Sequence, residues 1–573
     1  MSQGQVRVRK DITKLTRPEL DVLIKAFRAI QDKDPRQPDS YYHIAGLHGQ
    51  PFRGAGYGNP AWWGGYCHHG NVLFPTWHRA YVASLEKALR SVEGCEDVAM
   101  PYWNQLEGSG IPFIFTQPKY TYSSGPEKDK EIANPLYSYK FQTGFFDLLG
   151  RKLKGQDVDY RKHKGYETVR FPYSGLVGPG DQDKTKKHNA EIEAKGLEEV
   201  NKLLNGRVNE WLQGFSNYNE RILHTGARER YYQCLQAPNY TVFSNTTSAA
   251  KYNDDNLADV SEGELRHPDE PGYDPSKAPP LAVSIETPHN HLHLAIGGYD
   301  MADRPDHSGS NGDMGENDTA AFDPIFFFHH TFIDLVFWSW QSLKEQTEAL
   351  TVEPYYPGTS PVDSQGPTPG ISAGQWLNMD TPLEPFKKAN GTDHLTSNDV
   401  ANIIKLGYDY DKIVTPPKRR PQAAPVVRVA GIDRGQLAGS FVVSISADVD
   451  DKKILVGYEP VFSRWHVAGC ANCRNSLSVP MHIPLVYYDT SGYNEPVSLV
   501  PNNGVTDGDG EEAPPFRFPP TNKVSPLPVE SARILSYSIN VVSKSASEEE
   551  KQDIISGAMQ DLGKIAYLAS YDQ

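Results

Sequence analysis

Two histidine-crowded stretches, one near the start of the chain and one past its middle, limit the folds open to this sequence more than any other feature. The first carries His48, then Cys67-His68-His69, then Trp77-His78-Arg79. The second carries His289-Asn290-His291-Leu292-His293 and the run Asp323-Pro324-Ile325-Phe326-Phe327-Phe328-His329-His330. Each stretch offers three imidazoles at spacings that can close on one ion, so a fold that uses them must bring remote segments together. Two sites of imidazole alone, without carboxylate or thiolate, suit copper working on dioxygen better than a hard ion or a closed structural zinc site.

Local patterns predict how these rings are carried. Thr287 as N-cap, Pro288 at the first helical position and Gly297-Gly298 after Ile296 frame a short helix holding His289 and His293. Residues four apart leave a helix on one side, about one turn apart, so both rings can meet one ion. Asp323-Pro324 opens another helix, with His330 inside it and Asp334 one turn further on. His78 lies in a third helical pattern, Phe74 to Arg90, and Thr16 with Glu19 forms a capping box ahead of Leu20, Leu23, Ile24 and Phe27. A lone HxxxH is weak, since paired surface histidines are common; two helix-borne sets with aromatic, acid and amide neighbours are what carry the metal reading.

A chain of 573 residues exceeds the usual size of one core and implies two domains. A formal charge of -15 argues against nucleic acid as a partner, which wants clustered Lys and Arg. Met1 to Lys10 is polar, without the apolar core of a signal peptide, and no apolar run reaches the roughly 20 residues that span a bilayer. Five cysteines fit a reducing compartment, so no membrane and a cytoplasmic location are expected.

The expected fold is a mainly α catalytic domain over residues 1–415, a four-helix bundle with long loop excursions around a dimetal site. A proline-rich basic linker follows at 416–425, holding Lys418-Arg419-Arg420 as a candidate cleavage region. Residues 426–573 then read as a β-sandwich, from period-two runs at 426–429, 440–446, 454–458, 482–488 and 534–542. A capping box at Ser547 to Glu550, with Ile554, Met559, Leu562 and Ile565 beyond it, predicts a closing helix.

At AGLHGQPFRGAGY, WWGGYCHHGNVLFPTWHRAY, SIETPHNHLHLAIGG, GENDTAAFDPIFFFHHTFIDLVFW and SRWHVAGCANC the chain resembles the type-3 copper family, most closely the fungal tyrosinases, or polyphenol oxidases, that carry no secretion signal. The resemblance spans nearly the full length and implies two copper ions. One is held by His48, His69 and His78, the other by His289, His293 and His330. It selects His69 over His68, as the histidine two after a cysteine and before a glycine, and His330 over His329, as the one four residues before an aspartate. It implies a thioether between Cys67 and His69, Leu294 at the substrate mouth, and dioxygen with a phenol as reactants.

The implied reaction is ortho-hydroxylation of monophenols and oxidation of o-diphenols to o-quinones. A phenol with a pKa of about 10 offers little phenolate at neutral pH, so a base is wanted. Glu286 and Asn290 resemble the residues that hold a proton-accepting water in this family; helix capping and backbone bonding are their plainer roles. By the same likeness the C-terminal domain keeps a proenzyme latent until a protease cuts the linker. Cys470 and Cys473 would pass copper to the site, and Phe462 would plug it. A redox disulfide or two inert thiols are the alternatives for the cysteine pair, and a lone CxxC is only half a structural zinc site. A catechol oxidase limited to diphenols and a haemocyanin-like oxygen carrier would use nearly the same six ligands. Pigment (melanin) formation is the implied biological role, and a homo-oligomer is compatible with the sequence.

Overall fold

The structure, a computed structural model, describes residues 6–49, 65–108, 110–146, 151–153, 156–158, 160–214, 216–218, 221–222, 226–258, 281–299, 309–359, 375–417, 419–449, 452–467, 473, 477–484, 486–488, 524–526, 537–543, 548–557 and 559–571. The helical part is organised by α1 (Arg17–Asp32), α2 (Tyr41–His48), α3 (Phe74–Arg90), α4 (Thr246–Ala258), α5 (Glu286–Gly297) and α6 (Ile325–Leu343). The predicted capping box starts α1: Glu19 N donates to Thr16 Oγ1, and Thr16 N donates to the Glu19 carboxylate at 2.8 Å. α6 is buried on every side from Ile325 to Gln341, as expected of a helix that is apolar all round, and packs with Phe27, Tyr41 and Tyr81 in one core. No helix among the described residues is long and apolar enough to cross a membrane.

A buried ion cluster sets α3 against α6. Arg79 Nε lies 2.5 Å from Asp334, Arg9 lies 3.0 Å from the same carboxylate, and Tyr408 and Tyr410 donate their hydroxyls to it at 2.7 and 2.6 Å. Arg9 arrives on β1 (Arg7–Arg9), paired parallel with β2 (Tyr408–Tyr410). Arg79 follows His78 and Asp334 sits one turn past His330, so this pair fixes the height of one ligand helix against the other.

α5 begins two residues earlier than predicted, with Glu286 as its first residue and Ile285, not Thr287, as N-cap. Gly70 N and Thr246 N donate to the Glu286 carboxylate at 2.8 and 3.0 Å and hold residue 286 in helical register, while the Thr287 hydroxyl turns to Ser284 Oγ at 3.3 Å. The far end is as expected. Gly298 has φ of 80°, and a Cβ there would stand 2.4 Å from the Phe171 ring.

Beyond residue 418 the chain forms β3 (Arg419–Ala430), β4 (Phe441–Val449), β5 (Lys452–Val461), β6 (Met481–Pro484), β7 (Tyr537–Ser543), α7 (Glu548–Gly557) and β8 (Met559–Tyr571). Two antiparallel three-stranded sheets result, ordered β6-β3-β8 and β5-β4-β7. Two expectations are corrected. Residues 419–425, read as linker, are strand, and Lys418 lies outside the described residues. Pro421 and Pro425 fit because β6 pairs only with 426–429, so neither lies where partners stand on both sides. The closing helix stops at Gly557, and Met559, Leu562 and Ile565 belong to β8. The register skips Gly563, a bulge, so that Leu562 and Ile565 oppose Val427 and Pro425, two positions apart. The bulge turns a period of two into a spacing of three that imitates a helix.

Candidate metal centre

His48 ends α2, His78 lies on α3, His289 and His293 on α5 and His330 on α6; His69 alone stands on a loop. All six are buried. The ring nitrogens of His48, His69 and His78 lie within 4.8 Å of one another, as do those of His289, His293, His329 and His330. In the second group His330 Nε2 is 3.3 Å from His289 Nε2 and 3.5 Å from His293 Nε2. Tetrahedral bonds of about 2.0–2.1 Å to one ion need donor atoms about 3.3 Å apart, so this spacing is that of a ligand set. In the first group the Nε2 atoms of His48, His69 and His78 are buried with no protein partner. A buried polar atom left so is costly unless something binds it.

Opposite ring edges fix the tautomers. His78 Nδ1 donates to Phe74 O and His293 Nδ1 to Met314 O, each at 2.8 Å, and His289 Nδ1 to Asn290 Oδ1 at 3.0 Å. A carbonyl only accepts, so the proton sits on Nδ1 and the inward Nε2 keeps its lone pair. Burial pushes His78 and His293 down to about 3, and His48, His69, His289 and His330 also fall well below the ordinary histidine value. Neutral rings follow, as metal ligation requires.

The two groups face each other. His78 stacks on His330 with ring centres 4.5 Å apart, and His69 lies 5.6 Å from His289. Phe74 packs on His78 and His289 and Phe326 stacks on His330, while Phe327 and Phe328 turn to the core against Tyr81 and Phe115. Over the centre lies Phe462, 2 % exposed, its ring stacked on His293 at 4.0 Å and edge-on to His69 at 5.5 Å. The common central domain of tyrosinase matches residues 38–343, which hold all six histidines.

The chain belongs to the tyrosinase family.

A tyrosinase from Aspergillus oryzae is 47% identical over 500 residues, covering 83% of this chain and 88% of that one. The structure of a Burkholderia thailandensis tyrosinase at low pH matches with a TM-score of 0.70 and 35% identity, over 98% of this chain and all of that one. An Aspergillus oryzae apo-protyrosinase, 18% identical with a TM-score of 0.52 over 84% of this chain and 85% of that one, shares the fold. Membership in the tyrosinase family makes the chain a copper-dependent phenol oxidase with a dinuclear centre, and two opposed sets of neutral imidazoles suit that pair of ions.

The remaining predicted residues fall around this centre. Cys67 is buried, and burial pushes its thiol up to about 11. Glu286, raised by burial, accepts from Gly70, Thr246 N and Thr246 Oγ1, using three of the roughly four acceptor positions of a carboxylate. Leu294 is fully buried. Cys473 is disulfide-bonded and lines one cavity with Cys67, His69, Asn317 and Phe462; Cys470 lies outside the described residues. His68 turns to Asn71, and His291 donates to Thr287 O at 2.8 Å and packs on Tyr458. His329 joins the second group in space, but Gln105 Nε2 lies 2.7 Å from its Nδ1 and Gln105 Oε1 accepts from Tyr231. An amide N–H faces Nδ1 there, as Asn317 Nδ2 faces Nδ1 of His69. Gln105 and Asn317 carried no local signal, since each meets its histidine across a large gap in sequence.

Proposed function

We propose that His48, His69 and His78 hold one copper ion and His289, His293 and His330 the other, and that the protein hydroxylates monophenols ortho to the hydroxyl and oxidises o-diphenols to o-quinones. The observation that carries this is the convergence of six buried, neutral imidazoles, of which His78, His289 and His293 have the outer nitrogen tied to a carbonyl oxygen. Copper bound there would supply dioxygen binding and two-electron oxidation. The chain's own residues do the rest. The Phe462 ring marks where an aromatic substrate would stack on His293, and Leu294 would border that position once it opens. Glu286 keeps one acceptor position for a water and Asn290 stands beside His289; together they would take the phenol proton. A thioether from Cys67 to His69 would stiffen the one ligand that no helix carries. Cys473, on the cavity that reaches His69, would deliver copper together with Cys470 once its disulfide is reduced.

Phe462, within the segment 426–573, lies over the centre, and in this reading the full chain is a latent proenzyme. A backbone paired in a strand resists proteases, so the activating cut would fall in the coil before Arg419 rather than within 419–425. Copper analysis and steady-state rates of trimmed protein on tyramine and on a catechol test the proposal. Two coppers per chain with turnover of both substrates is expected; turnover of the catechol alone leaves a diphenol oxidase, and oxygen binding without turnover a carrier.

A further inference from the structure

Asn317, 3 % exposed, reaches both Cys67 and His69 of the first histidine group. Its Nδ2 lies 3.2 Å from His69 Nδ1 and its Oδ1 lies 3.5 Å from Cys67 Sγ. Its own N–H donates to Ser463 O at 3.1 Å, one residue past Phe462. The flanking residues are anchored. Glu316 accepts from Tyr299, Asn311 and Ser440 N at 2.6, 2.9 and 3.1 Å, and Asp318 from Trp465 N and Arg464 at 2.7 and 3.1 Å. With both neighbours pinned, the motion left to the Asn317 side chain is rotation of its amide end.

That rotation decides where the His69 proton sits. With Nδ2 facing Nδ1, the ring nitrogen accepts and the proton is on Nε2. A metal at Nε2 needs that lone pair, as His78 and His293 provide by keeping the proton on Nδ1 against a carbonyl. His69 can do the same only if Asn317 Oδ1 accepts from Nδ1–H, which requires the amide to turn end for end. The same half-turn brings Nδ2 to Cys67 Sγ. A thiol has a hydrogen to donate to an amide oxygen; a sulfur bonded to two carbons has only lone pairs and is the partner for an N–H. The two ends of the amide therefore agree in each state: thiol with Nε2–H, or thioether with Nδ1–H.

We propose that Asn317 is a positioning residue that sets the tautomer of His69, and that its amide turns when Cys67 is joined to His69, so that cross-linking and metal binding favour each other. This rests on the reading of His69 as a ligand. The cross-link replaces an S–H and a ring C–H by one S–C bond; two protons and two electrons leave, and dioxygen takes them up as hydrogen peroxide.

Two variants of the full-length protein separate the parts. Asn317→Leu offers neither acceptor nor donor; the near-isosteric Asn317→Asp keeps an acceptor for Nδ1–H but gives sulfur no donor. Copper(I) affinity is measured by competition with a chelator, the cross-link by the loss of two hydrogens from the joined peptides in mass spectrometry, and the tautomer by ¹⁵N shifts of labelled histidine in Cu(I)-loaded protein. Expected are a proton on Nδ1 of His69, roughly 10- to 100-fold weaker copper binding in Asn317→Leu, and in Asn317→Asp slowed cross-linking with affinity near the parent once the link has formed. Parent affinity in the leucine variant, or a proton on Nε2 of His69 with copper bound, overturns the proposal. A His69→Ala protein that still holds two coppers refutes the ligand reading itself, a different failure.

Discussion

Replacing Phe462 by alanine tests whether one ring keeps the centre closed. The side chain is 2 % exposed, stacked on His293 at 4.0 Å and in contact with His69 and His289. Burying a phenylalanine contributes about 1.5–3 kcal/mol and its ring packing about 0.5–1.5 kcal/mol more. Losing both would favour the open site by about 2–4 kcal/mol, or roughly 30- to 1,000-fold in its population at 1.4 kcal/mol per factor of ten. The covering segment should stay attached, because Glu316 and Asp318 still hold Ser440, Trp465 and Arg464. Initial rates on a catechol by uncut, copper-loaded protein, compared with protein trimmed before residue 419, read the effect. Phe462→Ala should raise the uncut rate by one to three orders of magnitude and leave the trimmed rate within a few fold, while Phe462→Tyr stays latent. An uncut variant as inactive as the parent, with normal copper and a fully active trimmed form, would falsify the reasoning.

Asp334→Asn leaves the buried guanidiniums of Arg9 and Arg79 without their shared charge, which should cost about 3–5 kcal/mol and lower Tm by about 6–10 °C in calorimetry; a shift under 2 °C would mean the cluster is not holding the ligand helices. Glu316 is pushed up to about 7 by burial, ahead of the donors that pull it down, and Glu459 to about 6 by burial beside Arg230. Carboxyls raised in the fold weaken it as pH climbs from about 4.5 toward 7, so Tm should fall over that range and fall less in Glu316→Gln; equal slopes in the two proteins would count against the assignment. Asp254 acts in the opposite sense. Burial raises it, but hydrogen bonds from Arg428 and His482 win and hold it below the usual carboxylate range, so its contribution is present above about pH 3.9 and lost in stronger acid, which Asp254→Asn should show as a flattened acid limb. Limited trypsin digestion should cut first after Lys412 or at the basic residues near 418, and N-terminal sequencing that finds a first cut after Arg428 would contradict the protected strand.

What the sequence made legible were features written within a turn or two of themselves. Phe74 to Arg90 is a helix with its predicted bounds, and Gly298 ends α5 because its positive φ and the Phe171 ring leave no room for a Cβ. Histidine spacing likewise marked the residues that the fold draws together. The gaps have a common cause. β8 reads as helix because its partner lies on β3 and a bulge at Gly563 resets the alternation, neither of which leaves a local trace. Glu286 starts α5 two residues early because of Gly70 and Thr246, residues distant in sequence.

Those same distant contacts explain how a loop can carry a metal ligand. Five of the six histidines inherit their direction from a helix; His69 does not, and fixing a loop residue costs about 1–2 kcal/mol of backbone entropy at each position. Three groups offset that cost. Glu286 accepts the Gly70 N–H, Asn317 meets Nδ1 of the ring, and Cys67 lies within reach of the same amide. A hydrogen bond to a charged group contributes about 1.5–3 kcal/mol and a neutral one about 1 kcal/mol, enough to balance two or three ordered residues. Glu286 therefore has a task independent of any proton it takes from substrate. Glu286→Gln should weaken copper at the His48, His69 and His78 group even where no phenol is present, because the amide places an N–H against one of the donors of Gly70 or Thr246. A variant with unchanged copper affinity and only a slower reaction with monophenols would assign Glu286 to chemistry alone and leave the loop to Asn317 and Cys67.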